Sequence, residues 1–254
     1  MNDPILILEN IEKRFGNVTV LRGISASIPR GSVTAFVGPN GAGKTTLFHA
    51  ISGDLRPDKG AVVLRGRKIS GLPPWKAARL GLGKLFQDVR IFENLTLIEN
   101  ILLALHDNNS RSAVVSLLQS PFRAKLAAAQ EEQARNWLEL TGVEKPFDRL
   151  AGLLSFGNKK LLALARLLAG GFDLLLLDEP TAGVSPVMAK RIEEMVRKLV
   201  SEQRKTVMLI EHNLSFVSAV ADQVYVLRDG TVHDAGKTNE VLGRDENREI
   251  LIGL

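Results

Sequence analysis

The sequence predicts an α/β protein with an antiparallel β lobe at its N-terminal end and a helical subdomain in mid-chain. Three observations predict it. A short apolar run, Val33–Val37, leads into a glycine-rich stretch and then into helix-forming residues. Two further apolar runs, Leu174–Leu177 and Thr206–Ile210, each end on charged residues and flank an amphipathic segment, as buried strands alternating with helices do. Between Val18 and Ile28 apolar residues recur in near-alternation, the pattern of antiparallel strands with one buried face.

The glycine-rich stretch is Gly38-Pro39-Asn40-Gly41-Ala42-Gly43-Lys44-Thr45-Thr46, with Gly38, Gly43, Lys44 and Thr45 at P-loop spacing. The helix after it reads from Thr45 to Ile51, and Gly53 is placed to stop it. Such a loop turns successive N–H groups inward at a positive helix end and so holds a phosphate chain. Lys44 then reaches the outer phosphates, and the Thr45 hydroxyl serves Mg²⁺. A bare glycine turn with a chance lysine explains neither the strand before the loop nor the helix after it. The stretch is read as a nucleoside triphosphate site.

Composition sets the outer limits. At 254 residues the chain suits one large domain or two small lobes, and 45% hydrophobic with 24% charged residues is ordinary for a globular protein. Without cysteine there is neither a disulfide nor a thiolate metal site, which is compatible with a reducing cytosol. Met1-Asn2-Asp3-Pro4 brings no basic region before Ile5–Leu8, so no signal peptide is expected. No apolar run approaches the roughly 20 residues of a membrane span, so at a membrane a partner must supply the spanning helices. The formal charge of +5 is spread along the chain rather than massed, and no partner is drawn from it.

In chain order, Ile5–Leu8 and Val18–Ile28 are strands, with a turn at Pro29-Arg30-Gly31. Phe15, between them, reads equally as core or as a stacking face for adenine. A strand Ala61–Leu64 lies between turns at Arg56–Gly60 and Arg65-Gly66, and Trp75–Leu80 is a short helix after Pro73-Pro74. Gly83–Gln87 is a short strand ending on a polar residue. Asn94-Leu95-Thr96 caps a helix to Leu105, broken at Asp107–Ser110, and Arg111–Thr141 is helical with an interruption near Ser120-Pro121.

Ser155, in Leu154-Ser155-Phe156-Gly157-Asn158, is a good N-cap for a helix with an apolar face of Leu161, Leu162, Ala165, Leu168 and Ala169. Leu174–Leu177 then ends in Asp178-Glu179 before Pro180. A buried strand aims its last residues at the ligand crevice of an open α/β sheet, which places these carboxylates in chemistry rather than in a solvated turn. Val187–Val200 is a helix with Met188, Ile192, Met195, Val196 and Leu199 on its core side, and Thr206–Ile210 ends in Glu211-His212. Val224–Leu227, Asp229-Gly230 and Thr231–His233 form a hairpin, and a short helix starts at Thr238.

In this order the P-loop, Gln87 after a strand, the Ser155–Asn158 stretch, Asp178-Glu179 and His212 resemble the ATP-binding subunit of ATP-binding-cassette (ABC) transporters over nearly the whole chain. Ala78–Gln87 with Ile91–Asn100 is most similar to the ATPases of branched-chain amino-acid importers. The resemblance implies one ABC ATPase domain: a P-loop catalytic core with its β lobe in 1–74 and 170–254, and a Gln87-loop and helical subdomain over about 75–169. It implies that Gly38, Pro39, Asn40, Gly41, Ala42, Gly43, Lys44, Thr45 and Thr46 cradle the phosphates of ATP, and that Thr45, Gln87 and Asp178 hold Mg²⁺. Glu179 is the implied general base and His212 the γ-phosphate contact. Phe15 stacks on adenine, and Ser155 and Gly157 close over the ATP held by a second cassette.

The sequence departs from the family pattern at three places. Phe156 and Asn158 replace the common Gly and Gln, and Ser185 replaces an Asp after the strand. None touches Lys44, Asp178 or Glu179, so hydrolysis is expected to survive. The implied protein is an ATPase that dimerises on ATP and drives uptake of amino acids or similar solutes. It sits peripherally on the cytoplasmic face of the membrane, with Gln87 and Ile91–Leu103 against permease subunits. A solute-binding protein is an indirect partner, nucleic acid is not expected, and the second cassette is a copy or a different chain. A soluble cassette ATPase acting on ribosomes or nucleic acid, a non-hydrolysing regulator and a small-molecule kinase are the competing classes. One compact cassette disfavours the first and Glu179 the second, while the kinase gives no reason for Ser155–Asn158.

Overall fold

The computed structural model describes residues 3–85, 89–107 and 121–252. Two compact units emerge: Met1–Lys84 with Asp173–Thr181 and Val196–Leu254, and Leu85–Phe172 with Ala182–Met195.

The first unit holds two sheets. Strands β1 (Pro4–Phe15), β2 (Val18–Pro29), β4 (Lys59–Leu64) and β5 (Arg67–Lys68) form an antiparallel sheet in the order β2-β1-β4-β5. Alternation in β2 buries Ile24, Ala26 and Ile28 on one face, and Leu21 is buried beyond the irregularity at Gly23. The second sheet joins β3 (Val33–Val37), β6 (Leu82–Leu85), β7 (Leu174–Asp178), β8 (Thr206–Ile210), β9 (Gln223–Arg228) and β10 (Thr231–Lys237) in the order β10-β9-β3-β8-β7-β6. Its centre is parallel: β3 pairs with β8 and β9, and β7 with β8. Strands β3, β7 and β8 are buried at every residue, which is why they read as unbroken apolar runs instead of alternating ones.

Helix α1 (Lys44–Ser52) contributes Leu47, Phe48 and Ile51 to a core shared by both sheets, with Leu6, Leu8 and Val62 from one and Phe36, Leu176 and Met208 from the other. Tyr225 of β9 stacks on Phe36 at 4.9 Å, and its hydroxyl accepts the Ser27 N–H at 3.0 Å, tying one sheet to the other. The short helix α2 (Pro74–Arg79) packs Ala77 into the same core. Toward the C-terminus α7 (Leu214–Val220), capped by Asn213, and α9 (Asp245–Ile252) are helices that the sequence reading does not anticipate, and α8 (Thr238–Gly243) lies between them in sequence.

In the second unit α3 (Leu97–Asp107), α4 (Pro121–Thr141) and α5 (Phe156–Ala169) pack on one another. A capping box starts α3: the Glu99 carboxylate accepts the Thr96 N–H at 2.7 Å, and Thr96 Oγ1 accepts the Glu99 N–H at 3.2 Å. Asn100, fully buried, donates to the carbonyls of Phe92 and Thr96, fixing the segment that enters the helix. Helix α3 runs to Asp107, and the rest of the expected break at Asp107–Ser110, with the first part of the expected 111–141 helix, falls in residues 108–120, outside the described residues. Helix α6 (Pro186–Ser201) buries Ile192, Met195, Val196 and Leu199 as its periodicity predicts.

Candidate functional site

The loop from Gly38 to Gly43 joins the C-terminal end of β3 to α1. Gly38 has φ 149°, and a Cβ there would stand 2.2 Å from the Leu227 carbonyl oxygen, so only glycine lets the loop pass β9. Gly43 is the N-cap of α1, and no side chain caps the helix, which leaves its first N–H groups for a ligand. Asn40, Gly41 and Thr45 are exposed, and Thr46 is half-buried.

Lys44 is buried. Its ammonium donates to the carbonyls of Gly38 at 2.8 Å and Pro39 at 2.9 Å, so the side chain folds back under the loop. Burial lowers its pKa, and the carboxylates of Glu179 and Asp178 pull the other way. Both carboxylates come from the end of β7. Asp178 is buried, and its pKa is raised by burial first and by Glu179 second, against Lys84, His49 and Lys44. Its Oδ1 has no hydrogen-bond partner, a costly state for a buried carboxylate oxygen that a cation or a cation-bound water would relieve. These oxygen donors fit Mg²⁺, which is commonly held by one or two carboxylates together with substrate phosphates.

Glu179 follows in the left-handed region, at φ 48°. Such a backbone costs a non-glycine residue on the order of 1–3 kcal/mol and persists only where the surroundings impose it. Its Oε1 lies 3.2 Å from His212 Nε2, which extends from the end of β8 and is 44% exposed. Because β7 and β8 pair in parallel with Asp178 opposite Ile210, Glu179 and His212, 33 apart in sequence, meet at the same edge of the sheet. Phe15 closes β1 and is half exposed with Lys13 Nζ 5.6 Å above its ring, so the core reading of this aromatic does not hold.

The second unit carries Ser155 and Gly157 at the start of α5. Ser155 is exposed and caps the helix, accepting the Asn158 N–H at 3.4 Å. Gly157 is half-buried against Met188, and Phe156 stays exposed. Gln87 lies outside the described residues.

Two features escape a reading by motif. Glu211, noted only as a strand end, is buried and bonded on both oxygens. The signal for it was the same as for Asp178: a carboxylate closing an unbroken apolar strand. Lys160, which no motif singles out, is buried and donates to the Ala182 carbonyl at 2.9 Å.

Strand, glycine loop, helix and adjoining β7 carboxylates define a P-loop nucleotide-binding protein. Comparison with known proteins narrows the class. The family model "ABC transporter" matches residues 21–182. The branched-chain amino-acid transport ATP-binding protein LivG of Escherichia coli is 33% identical over 231 residues, 91% of each chain. BraF of Pseudomonas aeruginosa, described in the same terms, is 35% identical over 230 residues, covering 91% of this chain and 90% of its own. The solved ATP-binding cassette MJ1267 in its ADP conformation is 31% identical, with TM-score 0.83 and full coverage of both chains. The chain belongs to the ABC transporter family, as an ATP-binding ATPase subunit. No helix among the described residues is long and apolar enough to cross a membrane.

Proposed function

We propose that this chain powers import of branched-chain or related amino acids by binding and hydrolysing ATP between two cassettes. The substrate class is drawn from what LivG and BraF are said to transport. The observation that carries the hydrolytic reading is the Glu179–His212 pair, 3.2 Å apart beside a P-loop lysine that feels both Asp178 and Glu179.

Phosphoryl transfer asks a protein for positioning and charge neutralisation more than for covalent help. The N–H groups from Gly41 to Thr46 hold the phosphates, and Lys44 leaves its carbonyl partners to meet the outer ones. Thr45, Asp178 and Gln87 hold Mg²⁺, which, when bound, neutralises charge on the phosphates and orients them. Glu179 accepts a proton from the attacking water, and His212 donates toward the γ-phosphate. Phe15 stacks on the adenine. Ser155 and Gly157 complete the site of a facing cassette, so that hydrolysis follows closure.

The chain is read as a single ABC ATPase domain with its catalytic core and β lobe in 1–74 and 170–254. It associates peripherally with the membrane through permease subunits, and a solute-binding protein acts further off. Exposed Phe92, Leu103, Leu150 and Leu153 in the second unit support placing the permease contact there.

The test compares wild type with Glu179→Gln in ATP-dependent dimerisation and ATPase rate. The variant is expected to bind ATP, stop hydrolysing and accumulate as a dimer. A variant that hydrolyses at the wild-type rate overturns the assignment of the base.

A further inference from the structure

The end of β8 grips the turn after β7 through three consecutive residues. The Ile210 carbonyl accepts the Glu179 N–H at 3.0 Å. Glu211 Oε1 accepts the Thr181 N–H at 2.8 Å and the Thr181 hydroxyl at 2.5 Å. His212 Nε2 meets Glu179 Oε1. The second Glu211 oxygen, Oε2, accepts the N–H groups of His212 at 2.9 Å and Asn213 at 3.1 Å. One buried carboxylate thus binds the chain on either side of the Glu179–His212 pair, one oxygen to each side.

A carboxylate is stable in such a place only when donors satisfy it, and here the four donors come from the two loops whose separation matters. Glu179 sits in a left-handed conformation that its surroundings must impose, and Thr181, two residues on, is the point at which the turn is pinned. If the pin is lost, Glu179 can relax away from His212 without any change at the P-loop.

We propose that Glu211 is a positioning residue for ATP hydrolysis, holding Thr181 and the His212 backbone so that Glu179 and His212 face one reacting centre. This rests on the reading of Glu179 as base and His212 as phosphate contact. Glu211 touches neither nucleotide nor water in that scheme and acts only through the two loops.

The experiment uses the full-length chain as wild type, Glu211→Gln, Thr181→Val, Thr181→Ser and Glu179→Gln. Measured are kcat and KM for MgATP, nucleotide affinity, thermal stability and amide exchange. Glu211→Gln turns an amide NH₂ toward one of the two donor sets, and Thr181→Val removes one donor at constant shape. Both are expected to lower kcat by about tenfold or more with KM and affinity within about threefold, since misplacing a catalytic group costs rate rather than binding. Thr181→Ser, which keeps both donors, is expected to stay within about threefold of wild type. The Thr181 and His212 amides should exchange faster in Glu211→Gln.

Two results overturn the proposal while leaving the base reading intact. One is unchanged kcat per nucleotide-binding site in Glu211→Gln and Thr181→Val beside an inactive Glu179→Gln, whatever the change in thermal stability. The other, independent of turnover, is unchanged exchange at Thr181 in Glu211→Gln. Wild-type turnover by Glu179→Gln instead removes the base reading, and this proposal with it.

Discussion

Asn158 donates through Nδ2 to Ser155 Oγ at 3.1 Å, while its own Oδ1 accepts the Glu144 N–H at 3.1 Å. The residue is 3% exposed. The side chain shortened relative to the family's Gln therefore turns inward and braces the serine that caps α5. Ser155 Oγ thus accepts from both the N–H and the side-chain amide of Asn158.

Asn158→Ala strands the Glu144 N–H and removes one donor to Ser155. The expected cost is about 1–3 kcal/mol of stability, the penalty of an unsatisfied buried polar group, checked by urea denaturation. Nucleotide affinity of the monomer should stay within about twofold, because no P-loop residue is touched. ATP-dependent dimerisation, followed by size-exclusion in a Glu179→Gln background, should weaken.

Phe15→Ala separates core packing from ligand stacking. The ring is 50% exposed, so its loss should change stability by no more than about 0.5 kcal/mol. Loss of a stacked base costs about 1–3 kcal/mol elsewhere, so ATP should bind roughly 5- to 150-fold more weakly, while Phe15→Tyr binds normally. Fluorescence titration with MgATP reads both.

Gly38→Ala drives a Cβ into the Leu227 carbonyl, and β9 is held on both sides by β3 and β10, so the oxygen has little room to yield. Clash and backbone strain together should cost roughly 2–4 kcal/mol. Gly41→Ala, where a Cβ meets open space at φ 82°, is the control and should cost only about 1 kcal/mol. Thermal unfolding distinguishes them.

Asp54 gives the unfolding an acid limb. Burial raises its pKa, but hydrogen bonds from Lys84 at 2.6 Å and Ser52 at 2.6 Å outweigh this and hold the carboxyl below its ordinary value. A depressed native pKa means stabilisation that is complete above the unfolded-chain value of about 3.9 and is lost as pH falls through the native one. Wild type should therefore lose stability with falling pH below about 4 more steeply than Asp54→Asn, as measured by Tm across a pH series.

The sequence by itself determined the local pieces: the strand, loop and helix around Lys44, the all-apolar β7 and β8, the capped α5 and the alternation of β2. Each is legible because its cause lies within a few neighbouring residues: the period of burial, a glycine where φ must be positive, a hydroxyl where a helix begins. Helix α9, polar along most of its length, lacks that signal, and α7, though capped by Asn213, is only seven residues long, too short for a period of burial to stand out. The tertiary structure alone decided what meets across the sheet. Parallel pairing of β7 with β8 brings Glu179 to His212 and Thr181 to Glu211, pairs 33 and 30 positions apart, and no local pattern encodes that register. It also decided that Phe15 stays at the surface and that Lys160 and Asn158 turn inward, because whether a polar side chain is buried depends on donors and acceptors supplied by distant segments.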